Sequence, residues 1–384
     1  MPRLLPTLLR RAYSFNPLLP LLLRECRDLA SARNELRWLQ EHVHSLNAAN
    51  IRGERWRQRK LRLMVQDRSR GKPLQYILGD QPFGELEILC RKGVLIPRPE
   101  TESYTLRVAR LILSRLRTNV PLTTPFRILD LCTGTGCIPL LLHSLLAPSI
   151  PNLTIVGIDI SKQALALAKT NLEYNICRGH LLPRARQDVH FHQADVLDDG
   201  ATCGNNASPR LQSVLSKFIS LEDRHKPRAQ STQWDILISN PPYISPIEFR
   251  NGTTKRSVRL YEPSLALVPP PLMPNSETRG IIMTELEKQS LITTRQDLFY
   301  PRLLGISQQI NPTLTVLECG DLAQANRIVD LVRKESCIGR FMDAVVWSCE
   351  VFVDSGFSDA DEQEGARAIA ITSRQDSSSL LGLK

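Results

Sequence analysis

Several absences narrow this sequence before any motif is read. Its nine cysteines contain no Cys-x-x-Cys pair, and the closest two, Cys132 and Cys137, flank a Gly-rich turn. An odd set with that spacing supports neither a disulfide framework nor a structural zinc, which points to a reducing compartment. No apolar run is long enough to span a bilayer; the leucine cluster from Leu18 to Leu23 is short and broken by Pro20. There is no internal repeat and no metal-ligand constellation, since His190 and His192 alternate along a predicted strand as structural residues do. The first 24 residues lack any acid and carry Arg3, Arg10 and Arg11 among leucines. That is the composition of a mitochondrial presequence, assigned to residues 1–20, and Arg11-Ala12-Tyr13-Ser14 fits a matrix-protease site cut after Tyr13. The expected location is the mitochondrial matrix.

What is present suits two domains: 384 residues, of which 42% are hydrophobic. The formal charge of +10 is local, because 16 of the 49 Lys/Arg but only 6 of the 39 Asp/Glu lie in the first 72 residues. The basic character belongs to the N-terminal fifth and carries no information about an active site. Residues 21–72 place Leu29, Leu36, Leu39, Val43 and Leu46 near helical spacing, predicting an N-terminal helical domain. Arg55, Arg57, Arg59, Lys60 and Arg62 crowd one segment of it. That run fits a solvated helix face and a surface docking RNA, or a protein bound to RNA, equally well. Residues 73–102 read as a connector ending in Ile96-Pro97-Arg98-Pro99-Glu100-Thr101-Glu102, whose prolines fix the backbone of Arg98. Tyr104 to Leu116 continues as an amphipathic helix.

In residues 103–384 strands and helices alternate, which argues for a doubly wound α/β sheet. Strand Phe126 to Leu131 runs into Cys132-Thr133-Gly134-Thr135-Gly136 and a helix from Cys137. Strand Leu153 to Ile158 ends at Asp159 and is followed by a helix from Lys162 to Asn175. Strand Asp188 to His192 leads to Ala194-Asp195-Val196, and Ile236 to Ile238 forms a short buried strand. Leu314 to Leu317, Val345 to Val353 and Ala366 to Thr372 supply three last strands. Two stretches, 198–232 and 268–290, read as insertions, the first with a mobile loop.

The chain is organised around Asn240-Pro241-Pro242-Tyr243, directly after the strand Ile236 to Ile238. Two prolines end the ladder and hold the preceding residues extended, so the Asn240 amide and the Asn240 and Pro241 carbonyls are displayed rigidly at a strand's C-terminal end. Ligands of open α/β sheets bind there. The Asn240 oxygen can accept one N–H of a planar amide or amine and the Pro241 carbonyl the other. Tyr243 is expected to pack on the planar group, leaving the nitrogen's open face toward an electrophile.

The Gly-rich turn specifies which nucleotide binds. A strand, a glycine turn and a helix let backbone approach a ligand closely. Gly134 and Gly136 match the first two glycines of a dinucleotide fingerprint, but Pro139 stands at the third position, and no Gly-Lys-Ser/Thr follows, which excludes a P-loop. Asp130 suits a ligand ammonium group, Asp159 can take both hydroxyls of a ribose, and Asp195 can reach an adenine amino group. Amino acid, ribose and adenine together describe S-adenosylmethionine.

With these residues in hand, the chain resembles the protein-(glutamine-N5) methyltransferases of the HemK/PrmC type, which modify peptide-chain release factors. The resemblance runs from about Leu36 to Thr372. It is carried by Ile96 to Glu102, Asp130 with the turn to Gly136, Val258 to Pro263, Ser239 to Tyr243, and Leu317-Glu318-Cys319-Gly320. It implies a seven-stranded Rossmann-like class I methyltransferase sheet, a small N-terminal helical domain, and a β-hairpin linker over 73–102. It further implies that Asn240 and the Pro241 carbonyl hold the glutamine amide, and that Cys132, Thr133, Gly134, Thr135, Gly136, Asp159 and Val196 contact the cofactor. Cys132 stands where the family has glycine, which is expected to tighten the turn. The N-terminal domain favours an organellar version of the family, with a mitochondrial release factor as partner, no stable nucleic-acid binding by the catalytic domain, no membrane, and a monomeric chain.

A glutamine nitrogen is a poor nucleophile, so the enzyme's contribution is alignment and charge placement. No strong general base is visible in the motif, and the proton is expected to leave to water. Two competing readings stay open at this point. One is adenine-N6 methylation of DNA or RNA, whose amine suits the same Asn-Pro-Pro-Tyr logic. The other is a catalytically silent methyltransferase fold serving as an RNA-binding or assembly module.

Overall fold

The computed structural model describes residues 3–47, 52–116, 125–198, 209–218, 234–271, 295–337, 347–353 and 366–373. Helices α1 (Pro6–Phe15) and α2 (Leu19–Cys26) both carry proline in the first turn, where a missing N–H leaves no bond unmade. Helix α3 (Leu29–Ser45) is capped by Asp28, whose carboxylate accepts from Ser31 N at 2.8 Å. Helices α4 (Glu54–Ser69) and α5 (Leu74–Leu78) follow. Leu22, Leu23, Leu39 and Val65 form the centre of their common core, and a bidentate Arg68–Glu35 pair at 2.7 and 2.8 Å ties α4 to α3. The acid-free leader takes part in this packing: Ala12 and Leu19 are buried in the core, with Leu4, Leu8 and Leu9 against it. Of the basic run on α4, Arg55, Arg59 and Arg62 are exposed.

A hairpin, β1 (Asp80–Phe83) and β2 (Leu86–Leu89), connects these helices to the sheet. The sheet comprises β3 (Phe126–Leu131), β4 (Leu153–Asp159), β5 (Val189–Gln193), β6 (Ile236–Ser239), β7 (Leu314–Glu318), β8 (Trp347–Val353) and β9 (Ala366–Ser373). Its order is β5-β4-β3-β6-β7-β9-β8, with the first five parallel and β9 antiparallel to both neighbours. This is the seven-stranded fold class expected from the sequence. Successive strands step outward from β3 through β4 to β5, and the chain then returns to the other side of β3 as β6, creating a switch point between β3 and β6.

Helices cover both faces. They are α6 (Pro99–Leu116), α7 (Cys137–Leu146), α8 (Lys162–Cys177), α9 (Ala185–Asp188), α10 (Leu211–Leu215), α11 (Pro246–Asn251), α12 (Arg256–Tyr261), α13 (Phe299–Ile310) and α14 (Leu322–Cys337). Strand side chains alternate between faces, so Ile128, Ile155 and Ile238 meet Val108, Leu141 and Leu165 on one side. Leu129, Val156 and Leu237 meet Leu303, Ile328 and Trp234 on the other. Burial on both faces is why these strands read as continuous apolar runs. Helix α6 begins at Pro99, which serves as its first residue, and Glu100 and Glu102 in the first turn favour the helix's positive end.

Most of the two expected insertions lies outside the described residues. Within the first, α10 buries Leu211, Val214 and Leu215, and the ring of Phe218 stands 5.1 Å from His190 and 5.4 Å from His192 on edge strand β5. The hairpin is held by side-chain amides. Asn175 on α8 accepts from Glu87 N at 3.1 Å and donates to Glu87 O at 2.9 Å. Asn171, one turn earlier, accepts from Leu89 N at 2.8 Å and donates to Thr135 O at 3.0 Å in the glycine turn. Among the described residues, no helix is long and apolar enough to cross a membrane, and no group of His, Cys, Asp and Glu could hold a metal ion.

Candidate active site

A cavity opens at the C-terminal ends of β3, β4 and β6. Cys132, Thr133, Gly134, Thr135, Asp159, Asp195, Val196, Asn240 and Pro242 line it. Residues separated by more than one hundred positions thus meet because parallel strands end on the same side of the sheet. Asp130, Gly136, Pro241 and Tyr243 are not among the lining residues.

The turn after β3 is fixed by main-chain bonds from Thr133 N to Ile158 O and from Gly136 N to Thr133 O, each 2.9 Å. Gly136 is at φ 78°, and a Cβ there would stand 2.8 Å from the Phe191 ring and 3.0 Å from Ala168, so only glycine fits. Cys132 adopts φ 64°, a left-handed conformation that costs a non-glycine residue about 1 kcal/mol. The departure from glycine therefore appears as local backbone strain at the cavity wall.

Asp159 is bound more tightly than its sequence position indicates. Its two carboxylate oxygens accept from Ser161 N and Gly134 N, both at 2.8 Å, so one side chain joins the end of β4 to the glycine turn. Burial raises its pKa, partly offset by these bonds. Each oxygen retains a lone pair for a further donor. Asp195 accepts from Leu197 N at 2.9 Å and holds the loop that carries Val196. Asp130 lies beneath the turn, fully buried, and among the described residues neither carboxylate oxygen is in hydrogen-bond contact with a protein group. Burial pushes its pKa well above the carboxylate range, and the nearby Thr133 hydroxyl, outside bonding geometry, offsets only part of this. An orphaned buried carboxylate is costly unless a donor or cation joins it. With the unbonded Asp130 carboxylate beneath the turn and the Asp159 lone pairs at the cavity wall, the residues present fit a nucleoside bearing an ammonium group.

Asn240 faces the cavity from the end of β6, and its Nδ2 donates to Thr101 Oγ1 at 3.4 Å. Thr101 in turn donates to Glu318 Oε2 at 2.8 Å. The structure departs from the sequence reading at Tyr243. Its hydroxyl donates to Glu318 Oε1 at 3.0 Å and its ring lies against Gly320, 3.3 Å from where a Cβ would stand. A buried carboxylate needing donors draws Tyr243 behind the motif, instead of leaving it beside Asn240 as an aromatic face. Glu318 is 1% exposed, and desolvation raises its pKa to about 7 against the hydroxyls that favour its charge. Arg98 forms a second link: its guanidinium meets Glu262 at 2.7 and 2.9 Å, and Glu262 also accepts from Ile96 N at 3.1 Å. Sequence reasoning gave Thr101, Glu318 and Glu262 no role in the site. The motifs containing them were visible, but nothing local showed that they converge.

No protein-family model matches the chain. The mitochondrial MRF1 N(5)-glutamine methyltransferase MTQ1 of Saccharomyces cerevisiae is 35% identical over 355 residues, spanning 92% of this chain and 86% of its own. This chain belongs to the N(5)-glutamine methyltransferase family. The probable MRF1 mitochondrial N(5)-glutamine methyltransferase of Schizosaccharomyces pombe is 38% identical over 260 residues, 67% of this chain and 70% of its own. The release factor glutamine methyltransferase of Haemophilus influenzae is 35% identical over 190 residues, 48% of this chain and 50% of its own. Among solved structures, the hMettl16 catalytic domain in complex with a MAT2A 3'UTR hairpin is similar at 17% identity and a TM-score of 0.42 over 80% of each chain, too remote to carry weight. As an N(5)-glutamine methyltransferase the chain is an enzyme, and the silent-fold reading is set aside.

Proposed function

We propose that this methyltransferase transfers a methyl group from S-adenosylmethionine to the side-chain nitrogen of glutamine in the Gly-Gly-Gln motif of a mitochondrial peptide-chain release factor, supporting translation termination in the matrix. The observation that carries the reading is the placement of the Asn240 amide in the same cavity as the glycine turn and Asp159. The names of the relatives support the substrate class. The proposed domains are a presequence over 1–20, a helical domain over 21–72, a hairpin linker over 73–102 and a catalytic domain over 103–384, acting as a monomer.

S-adenosylmethionine, when bound, supplies a methyl group already activated by its sulfonium. In this reading Asp130 satisfies the ammonium group, Asp159 accepts from the ribose hydroxyls, Asp195 reaches the adenine amine, and Cys132 to Gly136 with Val196 shape the pocket. Asn240 Oδ1 and the Pro241 carbonyl accept the two N–H bonds of the glutamine amide. They fix its plane and stabilise the positive charge that grows on its nitrogen as its lone pair is drawn out of conjugation. Pro242 keeps the motif rigid, and Tyr243 anchors it to Glu318 from behind. The proton leaves to water after transfer.

The test offers the purified enzyme a mitochondrial release factor, its Gln→Ala variant, and adenine-containing DNA or RNA, each with methyl-labelled cofactor. Label on the first alone is expected. Label on nucleic acid would reassign the same residues to adenine-N6 chemistry.

A further inference from the structure

We propose that Glu318 and Thr101 are positioning residues that set which way round the Asn240 amide is held, so that its oxygen, not its nitrogen, meets the substrate. The inference rests on the glutamine reading above and deepens it. An asparagine amide has nearly the same shape in two orientations related by a half-turn, and only the bonding around it distinguishes them. An acceptor role requires Oδ1 to point into the cavity. Nδ2 must then find an acceptor at the cavity wall, and the group at that position is Thr101 Oγ1, 3.4 Å away.

A threonine hydroxyl has a single proton. Thr101 directs it to Glu318 Oε2 at 2.8 Å, leaving only lone pairs for Asn240. In the reversed orientation the Asn240 carbonyl would face an oxygen with no proton to give. The polarity of the chain is therefore imposed from its buried end. Among the described residues Glu318 meets hydroxyls only: Thr101, and Tyr243 at 3.0 Å, with the Tyr104 hydroxyl close by but outside bonding geometry. A buried carboxylate with no cation bonded to it is a poor device for stability. Its use here is as an acceptor that cannot donate.

The device is titratable. A protonated Glu318 can donate to Thr101, which can then donate to Asn240 Oδ1 and turn the amide around. The groups facing Glu318 are Glu100, Thr101 and Tyr104 from α6 and Tyr243 from the loop after β6; Tyr300 on α13 reaches its main-chain carbonyl, and the residue opposite on β9 is Ala368. Burial and the Glu100 charge raise the Glu318 pKa to about 7, so the productive orientation holds above that pH and is lost below it.

The experiment uses the full chain with a release factor and saturating S-adenosylmethionine, and compares Thr101→Val, Thr101→Ser and Glu318→Gln. Thr101→Val keeps the shape and removes the hydroxyl, while Glu318→Gln keeps the shape and introduces a donor. Both are expected to lower kcat/KM by roughly 30- to 100-fold, with the calorimetric affinity for S-adenosylmethionine changed less than about twofold. Thr101→Ser is expected to restore transfer, which a purely packing role would not require. The acid limb of the wild-type rate near pH 7 should be absent from Glu318→Gln. Should Glu318→Gln fail to fold, the Thr101 pair decides. No label on glutamine from the wild type overturns the substrate reading and the proposal with it. Label from the wild type with undiminished transfer by Thr101→Val overturns the positioning role alone.

Discussion

Replacing Asp159 with asparagine separates a binding role from a structural one. In the folded chain its carboxylate accepts from Ser161 N and Gly134 N at 2.8 Å each. Asparagine keeps one of these bonds through its single carbonyl oxygen and turns an amino group toward the other donor. The free protein should lose about 1 kcal/mol, since cavity water can reach the released N–H. On the proposed reading cofactor binding should lose more, because a charged acceptor for two ribose hydroxyls would be replaced by a neutral amide with one acceptor. Hydrogen bonds to a charged group contribute about 1.5–3 kcal/mol, so affinity should fall roughly 10- to 150-fold. Burial raises the Asp159 pKa and binding requires the ionised form, so wild-type affinity should weaken as pH falls through that raised value, and the variant should lack this dependence. Calorimetric titration with S-adenosylmethionine across pH, beside urea unfolding of the free protein, measures both effects. A variant with lower stability and undiminished affinity would remove Asp159 from the cofactor site.

Three further outcomes follow from the geometry. Cys132→Gly should relieve the left-handed strain at φ 64° and stabilise the chain by about 0.5–1 kcal/mol, read as a rise in melting temperature. Burial raises the Asp235 pKa to about 6, so the native state binds its proton more tightly than the unfolded chain does, and stability drawn from this group falls as pH rises from about 4 to about 6. Asp235→Asn, which can still accept from Arg127 N, should flatten that fall and be about 1 kcal/mol more stable than wild type at pH 7, measured by urea unfolding. N-terminal sequencing of organelle-purified protein should find a start near Ser14, and a chain starting there should be about 2 kcal/mol less stable than one retaining α1, because Ala12 and the Leu8 and Leu9 contacts are lost; an intact Met1 would contradict processing.

The strand ends could be read from sequence because parallel strands buried on both faces leave long apolar runs, and the residue after each run falls at the ligand-binding edge. That logic led to Asp159, the glycine turn and Asn240 at the cavity, while Asp130, inside β3, lies buried beneath the turn. It did not reach the groups behind them. Thr101 and Glu318 are 217 positions apart, and Tyr243 and Glu318 are 75 apart. A bond between distant elements leaves no local period, so Tyr243 was aimed at the cavity when a buried carboxylate holds it elsewhere. The leader shows a different limit. Leu4, Leu8 and Ala12 lie four residues apart, and their helical face with few acids has the same composition whether it is read as an import signal or as a core-forming helix.

The two asparagines of α8 have a consequence for solubility. The outer edge of β2 carries main-chain donors and acceptors at Glu87 and Leu89 that would otherwise form a template for another strand. Asn175 meets both main-chain groups of Glu87, and Asn171 meets Leu89 N. Side-chain amides reproduce the bonding of a neighbouring strand without its length, so the edge is closed and cannot propagate. The β2 side of the segment that joins the N-terminal helices to the sheet is thereby protected from pairing with another strand.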